Sequence, residues 1–308
     1  MSNSYIQQHT YQDMFFKPKA PFRDTWWKKS LRVFGYVVAS ITLFVLITGP
    51  VEDSRDEIRI IPITGAIFSG SDSFSSDTFS DEVIAQLEYA QNNKQIKAVI
   101  LEIDSPGGTV VGSREISNAI EDFDKPIVTW MRESAASGAY WIAVSTDHIV
   151  ADPATSTGSI GVTGSYLQFS GLLADYNVTY ERLVSGEYKD TGSPFKELTQ
   201  QERDLIQRKI NLLNNMFIEH IATSRGLSKS YIRGLATGEI FLGVEALDKQ
   251  LIDTLGGKKE AVSIAVELAN LDDYQITKYE KSTSVFDKLF FGKNDNELFS
   301  KTSFGLRV

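Results

Sequence analysis

The 308-residue sequence contains no cysteine and only three histidines. The first absence excludes a disulfide framework, a thiolate nucleophile and any cysteine-bound zinc. The second leaves little from which to build a Ser-His-Asp triad. His9 precedes a long apolar run and cannot meet a site beyond it. His148 stands in Asp147-His148-Ile149-Val150, the start of a buried-strand pattern, and His220 lies inside a long helical pattern. No histidine cluster suggests zinc, so neither a metal nor a cofactor is expected. Beyond the first thirty-two residues acidic side chains outnumber basic ones. That leading segment carries a net +4, which leaves −13 for the rest of a chain of net charge −9. An acidic bulk argues against nucleic acid as a partner, because phosphate binding needs basic grooves.

Long hydrophobic runs are also rare, and Val33 to Val51 is the exception, nineteen residues without a charge. At 1.5 Å per residue it just covers a hydrocarbon core of about 30 Å. Six Lys/Arg precede it (Lys17, Lys19, Arg23, Lys28, Lys29, Arg32), Glu52, Asp53, Asp56 and Glu57 follow, and Trp26 and Trp27 stand at its near edge. The positive-inside rule would put the N-terminus in the cytoplasm and the bulk outside. A cleaved signal peptide would need a shorter apolar region and a better site than Leu46-Ile47-Thr48-Gly49. A buried helix of a globular domain would be amphipathic. The run therefore predicts an uncleaved, single-pass anchor over 33–51 behind a basic cytoplasmic leader over 1–32, with the lipid bilayer as a partner. The domain that follows would lie on the outer side of a bacterial inner membrane.

Beyond a charged linker, about 250 residues are enough for one full core. The pattern predicts a strand over Ile58–Ile67 and a mobile Ser/Asp/Phe loop over 68–80. A helix from a Ser80 cap to Gln91 follows, with Val83, Ile84, Leu87 and Ala90 on one face. It continues with a strand over Lys97–Ile103, a helix over Val110–Phe123, a strand over Pro126–Met131, a helix from Ser137 to Ser145 and a short strand at Ile149–Ala151. Thr199-Gln200-Gln201-Glu202 reads as a capping box opening a long helix to Arg225, and smaller helices are expected near Ser228, Gly243 and Gly256. Strands alternating with helices indicate βαβ units and a largely parallel sheet, an α/β fold. The tail over 281–308 is rich in aromatics among polar residues, unlike an ordinary disordered segment.

Ser134-Ala135-Ala136-Ser137-Gly138-Ala139-Tyr140 sets a serine among small residues at a strand-to-helix junction. Small neighbours would let a substrate backbone reach its hydroxyl. Upstream, Asp104-Ser105-Pro106-Gly107-Gly108 is a glycine turn after an apolar run, able to aim backbone N–H groups at an oxyanion. Alone, such a serine is usually a helix cap, such a turn only a turn, and Lys189 a solvated charge. Together, at the ends of apolar strands where α/β sheets place sites, they suggest a serine hydrolase with a lysine base.

These residues resemble the signal peptide peptidase A (SppA) family of Ser-Lys proteases. The matching elements are Ile103-Asp104-Ser105-Pro106-Gly107-Gly108, Ala135-Ala136-Ser137-Gly138-Ala139-Tyr140, Thr157-Gly158-Ser159-Ile160-Gly161-Val162 and Ser185-Gly186-Glu187-Tyr188-Lys189-Asp190. The resemblance implies a protease domain over 52–280 with the ClpP/crotonase-like stacked βαβ fold. It implies Ser137 as nucleophile, Lys189 as general base, Ser159 as the hydroxyl that orients the lysine, and the N–H groups of Gly107 and Gly138 as the oxyanion hole. Ala139 stands where a second glycine is common in the family. The substrates implied are signal-peptide remnants or other short apolar peptides, and the implied assembly is a homo-oligomer, an octamer for single-copy members, in which the lysine can come from a neighbouring subunit. Glu187 and Asp190 flank Lys189 and are expected to point away from its amine. A crotonase-type acyl-CoA enzyme would share the glycine turn without needing Ser137 or Lys189. A non-catalytic membrane scaffold would not need the complete Ser/Lys/Ser set.

Overall fold

The computed structural model describes residues 25–48, 55–72 and 75–280, and the aromatic tail lies outside them. The chain divides into two units, Met1–Ser54 and Arg55–Val308.

In the first unit, α1 spans Thr25–Thr48. It starts eight residues before the uncharged run and takes Lys29 and Arg32 into its first two turns. Its uncharged part, Val33 to Thr48, is sixteen residues. Residues 49–51 of the expected span lie outside the described residues. Among the described residues no helix is long and apolar enough to cross a membrane. The expected transmembrane anchor over 33–51, the lipid bilayer as partner and the single-pass inner-membrane placement are corrected accordingly.

The second unit is a mixed α/β fold. In chain order it comprises β1 (Asp56–Phe68), β2 (Thr78–Phe79), α2 (Ser80–Asn92), β3 (Ile96–Gly108), α3 (Val110–Glu121), β4 (Ile127–Ala136), α4 (Gly138–Ala143), β5 (His148–Ala151), β6 (Ser156–Gly158), α5 (Ser170–Asp175), α6 (Gln200–Arg225), α7 (Lys229–Leu235), β7 (Ile240–Leu242), α8 (Gly243–Asp248), β8 (Thr254–Leu255), α9 (Lys258–Ala269) and β9 (Tyr274–Lys278). The sheet runs β2-β1-β3-β4-β5-β8. β9 extends it beside the first half of β1, and β6 pairs the far end of β4. Every pairing is parallel except β6 with β7.

β3 reads as a continuous apolar run because both of its faces are covered. Val99, Leu101 and Ile103 join the core shared with α2, α3, α4 and α6, including Leu87, Ile116, Tyr140, Phe217 and Ile221. Ala98 and Ile100 face Ala261, Val262 and Ala265 of α9.

Two strands outrun their sequence signal, and both carry the site. β3 continues past Ile103 through the glycine turn, and β4 past Met131 to Ala136. Partner strands make this possible. Beyond a register slip at Ile103/Ser105, Ser105 pairs Ala135, while Ser134 to Ala136 pair Ser156 to Gly158. The end of the 68–80 loop is strand β2, pinned where Thr64 N donates to Thr78 Oγ1 at 2.8 Å and Ala66 N to Asp77 Oδ1 at 3.0 Å. Phe79, not Ser80, is the N-cap of α2; the Ser80 hydroxyl instead donates to Glu115 on α3 at 2.6 Å. The capping box of Thr199 and Glu202 opens α6 as the sequence predicts.

Candidate active site

β4 ends at Ala136 and α4 begins at Gly138, so Ser137 alone makes the reversal. Its backbone stands at φ 53°, ψ −120°, where a residue with a side chain is strained by about 1–3 kcal/mol. Three features hold it there. Ser137 N–H donates to Gly158 O at 2.9 Å, Trp141 N–H donates to Ser137 O at 3.0 Å, and β4 is paired on both sides up to the turn. Ala135 and Ala139, two residues to either side, are buried, and Ser137 is half-buried. A sharp, strained strand-to-helix turn between small residues lifts a nucleophilic hydroxyl clear of the sheet.

The glycine turn at the end of β3 lies against this serine. Gly107 has φ 101°, and a Cβ there would stand 2.7 Å from Gly138 N and 2.9 Å from Ser137 Cβ. A side chain would fill the space over the first amide of α4. The N–H of Gly107 itself donates to Ser105 Oγ at 3.1 Å, and that hydroxyl donates to Gly65 O at 2.6 Å. Gly108 is placed differently. Thr109 N donates to Ile67 O at 2.7 Å, and Ile67 is the register partner of Gly108. The alternation of a parallel ladder therefore turns the N–H of Gly108 away from β1, towards the β4 side. A Cβ on Gly138 would lie 3.2 Å from Gly108 N and 2.3 Å from Ser113 Oγ.

Ser159 follows β6 directly. It is half-buried at φ 47°, its N–H donates to Glu239 O at 2.8 Å, and its neighbour Gly158 holds Ser137. Gly107, Ser137, Gly138 and Ser159 are thus gathered by adjacent strand ends.

Lys189 is not gathered with them. It lies on an arm between β6 and α6, on which nearly every residue from Thr163 to Lys189 is exposed and α5 buries no residue. Lys189 N donates to Gly186 O at 3.1 Å, but no hydrogen bond joins its amine to Ser137 or Ser159. The carboxylate of Asp190 is turned to other cations, accepting from Arg182 Nε at 2.6 Å and lying 3.3 Å from Lys196. The Arg182 hydrogen bond, then that of Lys196, brings its pKa down to about 2. Lys196 also pairs with Glu202 at the start of α6. That bond, with the Thr199 amide, brings Glu202 to about 2.

The remaining histidines serve packing. His220 Nε2 lies 3.0 Å from Ser145 Oγ and 3.2 Å from Trp141 O, and its ring stacks on Trp141. Burial is the main cause that lowers its pKa. His148 Nε2 meets Thr254 Oγ1 at 2.8 Å. Among the described residues no cluster of three or more His, Asp or Glu could hold a metal ion. Sequence reasoning missed Ser105, which stands inside the glycine motif and accepts from the Gly107 amide.

A strained serine between a parallel strand and a helix, beside a glycine turn, defines the class of serine hydrolases. The comparisons narrow it. The sequence matches Peptidase family S49 over residues 119–272, and the N-terminal domain of NfeD1b over 58–175. It is 31% identical to a protein of Methanocaldococcus jannaschii with a provisional protease name, over 67% of each chain. It is 32% identical to a protein of Enterococcus faecium with the provisional name signal peptide peptidase SppA, over 78% of this chain and 71% of that one. Protease 4 of Haemophilus influenzae is 32% identical over 70% of this chain and 35% of its own length. The chain belongs to peptidase family S49, as a serine protease of the SppA and Protease 4 kind.

Proposed function

We propose that the chain hydrolyses peptide bonds with Ser137 as nucleophile and Lys189 as general base. The observation that carries the reading is the Ser137 turn, φ 53° and ψ −120°, with the Gly107 backbone pressed against it. Ser137 Oγ attacks the peptide carbonyl carbon as its proton passes to the neutral lysine amine. The carbonyl oxygen takes the negative charge, met by backbone N–H groups at about 3 kcal/mol per donor. The C–N bond then breaks and the lysine ammonium returns the proton to the leaving amine. Water attacks the acyl ester, loses a proton to the lysine, and the ester oxygen recovers it as Ser137. No cofactor enters these steps. Ser159 is the hydroxyl we assign to orienting the amine. Of the two oxyanion donors read from the sequence, Gly138 suits the task directly. The amide of Gly107 is committed to Ser105, so we assign the second donor to Gly108 and the open space above it to Gly107.

Lys189 is exposed within its own chain and unconnected to Ser137, which supports a base delivered by a second copy of the chain. The arm that carries it displays Leu167, Leu172, Tyr176 and Leu183, a surface of the kind that marks an interface. The same apolar side chains suit an apolar peptide as substrate.

Hydrolysis of a fluorogenic apolar peptide by the full chain tests both parts. Ser137→Ala and Lys189→Ala should each lose activity by about 10³-fold or more. An equimolar mixture of the two, refolded together, should recover part of it. Undiminished activity in Ser137→Ala would sink the mechanism, and no recovery in the mixture would place the base in the same chain.

A further inference from the structure

Where β3 runs into the glycine turn, its ladder with β1 is interrupted. Thr64 pairs Asp104 and Ala66 pairs Gly107, so Gly65 has no register partner on β3, and Ser105 and Pro106 have none on β1. The register with β4 slips at the same place, where Arg132, Glu133 and Ser134 stand against Asp104 alone. Side chains bridge both slips. The Asp104 carboxylate accepts from Ser134 N–H at 3.3 Å. The Ser105 hydroxyl accepts from Gly107 N–H at 3.1 Å and donates to Gly65 O at 2.6 Å. Where the ladder is regular again, Thr109 N–H donates to Ile67 O across the two strands. Gly107 N–H and Gly65 O are the corresponding groups two residues back on each strand, and the Ser105 hydroxyl holds both.

A hydroxyl can accept from an amide and donate to a carbonyl through one atom, and alanine can do neither. Ser105 is fully buried, so it meets no substrate, and any effect on the reaction passes through the turn. Irregularities of this kind beside active sites re-aim the groups that follow them. Here those groups are Gly107 at φ 101°, packed against Ser137 and Gly138, and then Gly108. We propose that Ser105 is a positioning residue for the oxyanion site. Its hydroxyl fixes the glycine turn between β1 and Ser137, and so sets the Gly108 amide beside that of Gly138. Without it, Gly107 N–H and Gly65 O are left to close on each other, which draws the turn towards β1 and away from the nucleophile. A misplacement of about 1 Å costs on the order of 10²-fold in rate.

The inference rests on Ser137 as nucleophile and on the proposed oxyanion donors, and the test separates them. Ser105→Ala in the full chain should lower kcat on the fluorogenic peptide about ten- to hundred-fold with KM little changed. Affinity for a peptide boronate, which forms a tetrahedral adduct on the serine, should fall by a similar factor. Binding of the uncleaved peptide, compared between Ser137→Ala and Ser137→Ala/Ser105→Ala, should not change. Ser105→Thr keeps the hydroxyl and should restore most of both kcat and boronate affinity. Should alanine prevent folding, Ser105→Cys fills the space with a weak donor and weak acceptor, and should show the same loss in a folded chain. An unchanged kcat in the folded alanine or cysteine variant would overturn the proposal. So would a threonine variant as slow as alanine, or a loss matched by weaker binding of the uncleaved peptide, which marks a general packing role. Activity surviving in Ser137→Ala would instead overturn the nucleophile assignment beneath it.

Discussion

Three residues at the heart of the site hold backbone angles that their neighbours impose. Ser137 and Ser159 have positive φ despite their side chains, and Gly107 sits at φ 101°. Of these, Gly107 is the position where substitution separates space from strain. Alanine there meets both the positive φ and a Cβ 2.7 Å from Gly138 N. We predict that Gly107→Ala loses about 1–3 kcal/mol of stability from the backbone term. Because the methyl group covers the Gly138 amide, kcat should fall about 10²- to 10³-fold as well. A thermal melt and peptide hydrolysis measure the two effects, and a variant that melts early but turns over normally would show that the Gly138 amide is not used.

Among the elements, the arm between β6 and α6 depends on charge where the sheet depends on apolar burial. Its base is held by Arg182, Asp190, Lys196 and Glu202. Both carboxyl groups titrate near 2 in the folded chain, below their ordinary 3.8 and 4.5. A depressed folded pKa contributes stability that is complete above the ordinary value and lost as pH falls towards the folded one. Amide protection over residues 182–202 should therefore fall between about pH 4.5 and pH 2 while that of β3 and β4 holds, as hydrogen exchange would show. Asp190→Asn should show the weakened protection already at neutral pH. Equal loss in arm and sheet would mean that the pairs do not anchor the arm.

For the whole molecule, the arm's apolar surface is the feature a single chain leaves without an account. Leu183 is 86% exposed and Leu167 73%. If a second copy covers them, the full chain should sediment as an oligomer. Leu167→Asp/Leu183→Asp should shift it to a smaller species, with peptide hydrolysis lost and the thermal melt of the α/β unit nearly unchanged. A wild-type monomer with full activity would refute association through the arm.

Much of this was legible in the order of residues. The runs of β1 and β3, the capping box of Thr199 and Glu202, and the small-residue serine motif are local signals of propensity, period and capping, and the structure reproduces those elements. Tertiary structure decided the rest. Strands β6 to β9 are two to five residues long, too short to show a period, and exist because strands distant in sequence offer them an edge. The uncharged run over 33–51 carries the composition of a span, but among the described residues no helix is long and apolar enough to cross a membrane. The engagement of Gly107 with Ser105 and the close approach of Ser113 to Gly138 follow from the register of β1 on β3 and the packing of α3 against α4. Residue types and spacing state which groups are available for chemistry. Which N–H is free, and which is committed to a neighbouring hydroxyl, depends on what lies across the strand, and that is a property of the fold.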